Sequence, residues 1–255
     1  MSDLAGRHAV VTGGGSGIGA AIAEALSKAG AHVTIMGRRQ DKLDAVAGRL
    51  ENTRAVACDV TDAGSVAGAF EQARTVGGPV SILVNNAGIA PAAPFEKTAP
   101  DALRQVLSVN VEGVFACTRA AIADLKADPA GRVINIASTA GLKAYAYVSA
   151  YVASKHAVIG ATRALALEYA KTPLTVNAVC PGFTDTDIVA GSLDQIEAAT
   201  GRSREDALKS LIKDNPQKRL IDPAEIASAC LWLCAPDSRS ITGQAICIAG
   251  GEVMG

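Results

Sequence analysis

Aromatic side chains are scarce in this chain of 255 residues, at 4% with a single tryptophan, and neither sign of charge prevails. Lys and Arg number 24 against 25 Asp and Glu, for a net charge of −1. Such a balance provides no basic footprint for nucleic acid or for an anionic membrane surface. No early hydrophobic stretch has the charged flank and cleavage site of a signal peptide, and no apolar run approaches the roughly 20 residues of a membrane span. The expected address is the cytoplasm, where thiols stay reduced. The six cysteines, at 58, 117, 180, 230, 234 and 247, include no Cys-x-x-Cys pair, and the histidines at 8, 32 and 156 are scattered, so no metal is expected. Cys230 and Cys234 lie four apart on a helical pattern, where Ala227, Leu231 and Leu233 favour core packing. Cys58, Cys180 and Cys247 fall in strand-like runs and read the same way. His156 adjoins a residue of interest below, but an i+1 neighbour points to another side of a helix and reads as structural.

What the chain does have is small and branched apolar residues, with 49% of its positions hydrophobic. Strand-like runs at His8–Val11, His32–Met36, Thr53–Cys58, Ser81–Asn85, Arg132–Ser138, Leu174–Cys180 and Ala245–Ile248 alternate with helical patterns. That alternation specifies an α/β fold, a doubly wound, Rossmann-like parallel sheet with helices on both faces. No composition break, repeat or low-complexity tract marks a second domain, and the length suits one domain spanning residues 1–255. Ser203-Arg-Glu-Asp206 resembles a helix-opening cap before Ala207–Lys213, so the stretch from Thr186 to Asn215 is expected to be partly helical.

Two segments carry chemistry. The first, Thr12-Gly-Gly-Gly-Ser-Gly-Ile-Gly19, lies between the first strand and a helical pattern at Ala20–Lys28. Glycines at 13, 17 and 19 allow the backbone to approach an anion, and the helix N-terminus adds roughly half a positive charge. Alone, the pattern also describes an ordinary strand-to-helix turn.

The second is Tyr151-Val-Ala-Ser-Lys155, whose tyrosine and lysine share one face of a helix expected over Tyr151–Ala170. A free tyrosine has a pKa of about 10, and lowering it by three units requires about 4 kcal/mol. One ammonium about 4 Å away at an effective dielectric near 20 supplies about that much. Lys155 is thus sufficient in magnitude to make Tyr151 a proton donor and acceptor near neutral pH. Ser138 ends the run from Arg132, and a hydroxyl at a strand's C-terminal end faces the crevice where open α/β sheets bind ligands.

With these residues, with Cys58-Asp59-Val60, Asn85-Asn-Ala-Gly88, Asn110 and Pro181-Gly182, and with Ala249-Gly250-Gly251 near the end, the chain resembles the short-chain dehydrogenase/reductase family over nearly its whole length. The resemblance implies a catalytic set of Asn110, Ser138, Tyr151 and Lys155. Ser138 would hydrogen-bond the substrate oxygen, Tyr151 would pass it a proton, Lys155 would lower the tyrosine pKa and hold the nicotinamide ribose, and Asn110 would anchor a water. It also implies a dinucleotide bound by Gly13, Ser16, Gly17, Ile18 and Gly19, by Asp59 and Val60 at the adenine, and by Asn86, Ala87 and Gly88 along the adenosine ribose. Pro181, Gly182 and Thr186 would seat the nicotinamide. Phe183, Thr184 and Asp185 follow no strict family rule and receive no role. Residues 186–215 would form a substrate lid, with Ile188, Val189, Leu193, Ile196, Leu208 and Leu211 lining or closing the pocket. Relatives pair the helices that here contain Asn110–Ala123 and Tyr151–Ala170 into tetramers. Small residues at 113, 116, 120, 157, 160, 161 and 164 are expected to let those helices approach in a homotetramer.

Cofactor choice is read after the second strand, where an acidic residue would bond the 2′-hydroxyl of NAD and repel a 2′-phosphate. Gly37, Arg38 and Arg39 stand there instead, so NADP(H) is expected over NAD(H), with Arg38 and Arg39 at the phosphate. The implied activity interconverts a secondary alcohol and a ketone. Its small-molecule substrate is expected to be a 3-hydroxyacyl or 3-oxoacyl thioester, because the stretches Ser138–Leu142 and Thr175–Phe183 resemble ketoreductases and 3-hydroxybutyrate dehydrogenases. A dehydrogenase of a small cyclic alcohol, steroid or sugar is the rival on the same scaffold. A non-catalytic dinucleotide sensor is the rival of another class, but a sensor would be expected to lose Tyr151 or Lys155, and both are present.

Overall fold

The sheet is built from seven short apolar strands: β1 (His8–Thr12), β2 (His32–Gly37), β3 (Thr53–Ala57), β4 (Ile82–Asn85), β5 (Arg132–Ile136), β6 (Thr175–Pro181) and β7 (Ala245–Ile248). A computed structural model describes residues 4–254 of the chain. All pairs are parallel and the order is β3-β2-β1-β4-β5-β6-β7. Successive side chains on a strand point to opposite faces. Ala9 and Val11 therefore enter one core with Ile22, Leu26, Ile226 and Leu233, and Val10 enters the other with Phe70, Cys117 and Leu125.

The first core is covered by α1 (Gly17–Lys28), α2 (Gln40–Ala47) and, at the end of the chain, α9 (Pro223–Cys234). Cys230 and Cys234 lie fully buried in it, as core residues. The second is covered by α3 (Ala63–Gly77), α5 (Gly113–Ala127) and α6 (Ser149–Glu168), with α4 (Pro100–Leu107) leading into α5. Between α4 and α5 the chain makes a π-helical turn, Ser108–Glu112. The continuous run Pro100–Ala127 is long and apolar enough, by length and composition, to cross a membrane. Its apolar face belongs to the core, because Val106, Val114, Cys117, Ala121 and Leu125 are buried there. Two further helices, α7 (Asp187–Thr200) and α8 (Arg204–Leu211), pack on each other around Val189, Leu193 and Ala207. The expected cap is present: the Ser203 side chain accepts from Asp206 N–H.

Element ends depart from the sequence reading by up to three residues, as at α1 and α8, which begin at Gly17 and Arg204 rather than at Ala20 and Ala207. The helix expected over Tyr151–Ala170 begins at Ser149 and ends at Glu168, and the strand expected to reach Ser138 stops at Ile136. Ser138 then leads a short 3₁₀ turn, its hydroxyl accepting from Ala140 N–H at 3.0 Å.

One buried charge holds the far end of the sheet. Arg132, first residue of β5, is 1% exposed and donates to the carbonyls of Leu233, Ala235 and Gly131. Arg7 donates to Cys234 O from the same side. The last turn of α9 contains no basic residue, and these two arginines satisfy carbonyls that a helix end leaves unpaired. Burial lowers the Arg132 pKa from its usual value, and Arg7 adds to that. Arg132→Leu would strand those carbonyls in an apolar setting. It is expected to cost about 2–4 kcal/mol, read as a lower urea midpoint with an unchanged m-value.

Candidate active site

The chain leaves β1 and β4, neighbours in the sheet, toward opposite sides, and the crevice between their C-terminal ends is where such folds bind ligands. Thr12 and Asn86 bridge it. Thr12 Oγ1 accepts from the N–H groups of Asn86 and Ala87, at 3.0 and 3.1 Å, and Asn86 Nδ2 donates to the carbonyls of Thr12 and Gly13. These bonds fix the glycine loop against the Asn86-Ala87-Gly88 stretch.

The loop itself requires glycine at positions 13, 14, 17 and 19. A Cβ on Gly19 would overlap the Gly13 carbonyl and lie 2.5 Å from Asn86 Nδ2. At Gly17, φ is +51° and a Cβ would stand 3.0 Å from Thr186 Cγ2, so Thr186 rests directly on the loop. Ser16 caps α1 with extended backbone and no side-chain capping bond, and Ile18 turns into the core. A loop without side chains at the N-terminus of a twelve-residue helix fits a pyrophosphate.

Just past β3, Asp59 Oδ1 accepts from Thr61 N–H and from Thr61 Oγ1–H, and these bonds hold the carboxyl below its ordinary pKa, with Arg38 a weaker contributor. Val60 packs on Gly113. Arg38 and Arg39 are exposed just past β2, and Arg39 forms the N-terminal boundary of α2. No carboxylate intervenes between Gly37 and Arg39. Lys42, to which the sequence reading gave no role, brings its Cβ to 3.2 Å from where a Cβ on Gly15 would be. The signal for it was a cation one turn into the helix after β2.

The residues expected to carry the chemistry gather beside this groove. Lys155, 5% exposed, donates from Nζ to Ile136 O at 2.8 Å and lies 5.5 Å from the centre of the Tyr151 ring. Asn110, fully buried in the π-helical turn, donates to Ile89 O and Ser154 Oγ and accepts from Ile89 N–H. Both amide hydrogens are spent, which leaves one lone pair of Oδ1 toward the site. Ser154 in turn donates to Tyr151 O, a link absent from the sequence reading. Gly88 marks the convergence, since a Cβ there would lie 3.3 Å from Asn110 Oδ1 and 3.7 Å from Lys155 Nζ. Such π-helical insertions are frequent at functional sites.

The electrostatics correct one expectation. Burial dominates at both members of the pair: it pushes the Tyr151 pKa above its ordinary value, against a hydrogen bond with the Ser138 hydroxyl, and pulls Lys155 down to about 8. The lowering anticipated for Tyr151 assumed a fully charged ammonium at close range. In the fold that ammonium is desolvated, with its pKa lowered to about 8, and it is turned toward the Ile136 carbonyl.

Two further departures concern residues outside the motif. Phe183, given no role, meets Tyr145 edge to face with ring centres 5.8 Å apart. On the outer helices, Gly113 is buried under Val60, while the hollow between α5 and α6 is lined by Ala161, one of the expected small residues, together with Phe115, Ile122, Leu165 and Tyr169. His156 is exposed and bonds the Val152 carbonyl, as a structural residue would.

Comparison with known proteins agrees with this arrangement. A family model described as short chain dehydrogenase matches residues 7–197. The chain is 36% identical over 252 residues to a D-beta-hydroxybutyrate dehydrogenase of Rhizobium meliloti (strain 1021), covering 96% of this chain and 98% of that one. It is 34% identical to a 3-oxoacyl-(acyl-carrier-protein) reductase of Vibrio harveyi, covering 99% of each. Among solved structures, a single-substitution variant of actinorhodin polyketide ketoreductase with NADPH superposes with a TM-score of 0.93 at 33% identity, covering 96% of this chain and 97% of that one. With a seven-stranded parallel sheet, a glycine loop at its switch point and full-length relatives of this kind, the chain belongs to the short-chain dehydrogenases, oxidoreductases that act on CH–OH and ketone groups.

Proposed function

We propose that the protein interconverts a 3-hydroxyacyl and a 3-oxoacyl thioester with NADP(H), as a homotetramer. The observation that carries the chemistry is the convergence of Ser138, Tyr151, Lys155 and Asn110 beside the glycine-loop groove. The dinucleotide, when bound, exchanges a hydride with the carbinol carbon. Gly13, Ser16, Gly17, Ile18 and Gly19 hold its pyrophosphate, Asp59 and Val60 its adenine, and Asn86, Ala87 and Gly88 its adenosine ribose. Pro181, Gly182 and Thr186 lie at its nicotinamide end.

Ser138 donates to the substrate oxygen and Tyr151 passes it the phenolic proton. Burial keeps Tyr151 neutral, so the resting residue is a donor, and in the oxidative direction the same oxygen accepts the proton. Lys155 holds the ribose and steadies the phenolate that forms when the proton leaves. α7 and α8 close over the substrate as a lid. The acyl-thioester reading is supported by the Vibrio harveyi relative, which is named for a 3-oxoacyl substrate on an acyl carrier protein.

Tyr151→Phe is expected to lower kcat by about 10²–10⁴-fold while leaving dinucleotide affinity nearly unchanged, and Lys155→Ala should damage both. Stopped-flow turnover and fluorescence titration of the reduced cofactor separate the two effects. Retention of most of the turnover by Tyr151→Phe would show that another group moves the proton.

The cofactor reading rests on Arg38, Arg39 and the missing carboxylate after β2. Steady-state kinetics should give a higher kcat/KM for NADPH than for NADH. Arg38→Ala should erase most of the difference, about 1–3 kcal/mol for a charged hydrogen bond. Equal or better use of NADH by the wild type overturns the assignment.

The assembly reading rests on the half-exposed Phe115 and the apolar hollow between α5 and α6. Light scattering at micromolar concentration should report four times the chain mass, and Phe115→Asp should dissociate the particle. A monomer mass for the wild type would rule the tetramer out.

A further inference from the structure

Three segments that border the site meet at one carboxylate that no motif singled out. They are the loop after Ser138, the Pro181–Phe183 turn and the tail beyond Gly251. Glu252 belongs to the tail, and its side chain is 2% exposed. Its Oε1 accepts from Lys143 Nζ at 3.0 Å and from Tyr145 Oη at 2.6 Å. Tyr145 has one hydroxyl hydrogen and gives it to the carboxylate, so its 2.7 Å contact with Thr139 Oγ1 has threonine as the donor. Burial and the Glu252 charge push the Tyr145 pKa up, which keeps the phenol a donor. The Lys143 ammonium also lies 4.8 Å from the centre of the Tyr145 ring.

The second carboxylate oxygen is different. Glu252 Oε2 is buried and has no hydrogen-bond partner among the described residues. It faces the Gly182 turn, where a Cβ would lie 3.4 Å from it. The carboxylate charge is shared by both oxygens and offset by Lys143, but an acceptor with no hydrogen bond leaves local negative potential on the Oε2 side in a setting that screens it poorly. The one cation in contact, Lys143, is already matched by Oε1.

We propose that Glu252 is a specificity-determining residue, selecting uncharged ketones and acyl thioesters against free keto-carboxylates. A substrate carboxylate entering beside Ser138 would find no unpaired cation on this wall. The unsatisfied oxygen of Glu252, buried behind the Gly182 turn, would act on it only through its field, as a like charge, which suppresses wrong ligands. An uncharged carbon frame meets instead the edge-to-face pair of Tyr145 and Phe183, which the Glu252 bond holds in place. The inference deepens the acyl-thioester reading and rests on it for the position of the substrate. Relatives are named for both kinds of substrate, one for a hydroxy acid and the other for an acyl-carrier substrate.

The test compares ethyl acetoacetate with acetoacetate, which share the reacting ketone and differ in charge. The wild type should favour the ester in kcat/KM. Glu252→Gln keeps shape and an acceptor for Tyr145 but frees the Lys143 charge, and should move the ester-to-acid ratio toward the acid by about tenfold or more. Lys143→Met in the Glu252→Gln background should cancel that gain. Tyr145→Phe, which keeps the ring and loses the tether, should raise KM for the ester more than it lowers kcat. Saturation-transfer NMR with the same two compounds gives a readout independent of turnover: ester bound by the wild type, and acid binding gained in Glu252→Gln. An unchanged ratio in Glu252→Gln, or equal acid binding by wild type and variant, overturns the proposal. If the wild type reduced neither compound with either cofactor, the 3-oxo reading would fail, and the binding comparison would still decide the role of Glu252.

Discussion

The hydrogen bonds between Thr12 and Asn86 tie together the two loops that separate at the middle of the sheet. In a parallel sheet the chain leaves each strand at the same edge, and at a switch point neighbouring loops diverge and leave a gap. Here a threonine hydroxyl satisfies two backbone donors while an asparagine amide satisfies two backbone acceptors. Irregular backbone is thereby kept rigid without a regular ladder. The glycine loop, the Asn86–Gly88 stretch and the placement of Gly88 against Asn110 and Lys155 all depend on that closure.

A second buried polar layer lies beneath the reacting groups. Asn85 donates to Thr118 and Asn135, Asn135 donates to Thr162, and Asn110 joins Ile89 to Ser154. These amides cost desolvation that their partners must offset, and in return each orients a helix relative to the sheet edge. The π-helical turn at Ser108–Glu112 fits this scheme, because one extra residue rotates Asn110 inward while the faces of α4 and α5 stay apolar.

Burial, more than the nearby ammonium, governs the reacting pair. The pairwise estimate of about 4 kcal/mol at 4 Å describes two groups that remain charged. Once Lys155 is 5% exposed, water no longer stabilises its charge, and its pKa falls to about 8. Tyr151 loses hydration in the same way and moves up. Burial thus shifts both groups toward their neutral forms, the phenol upward and the ammonium downward.

The amino-acid sequence determined most of the scaffold: seven strands, their alternation with helices, the cap at Ser203 and the segments that line the groove. Those features rest on local signals, such as strand alternation, glycine where backbone approaches backbone, and a polar cap before a helical run, and local signals survive without coordinates. It could not supply the partners of Arg132, which lie about a hundred residues away at the end of α9, or the crowding of Gly113 that removes it from the outer face. Nor could it show that Lys143, Tyr145, Phe183 and Glu252 form one wall, since Glu252 follows the last strand and bears no pattern of its own. Charge and hydrogen bonding act through space with a strength set by burial. The residues that surround a side chain, and the water they exclude, exist only after the sheet has brought distant loops to one edge.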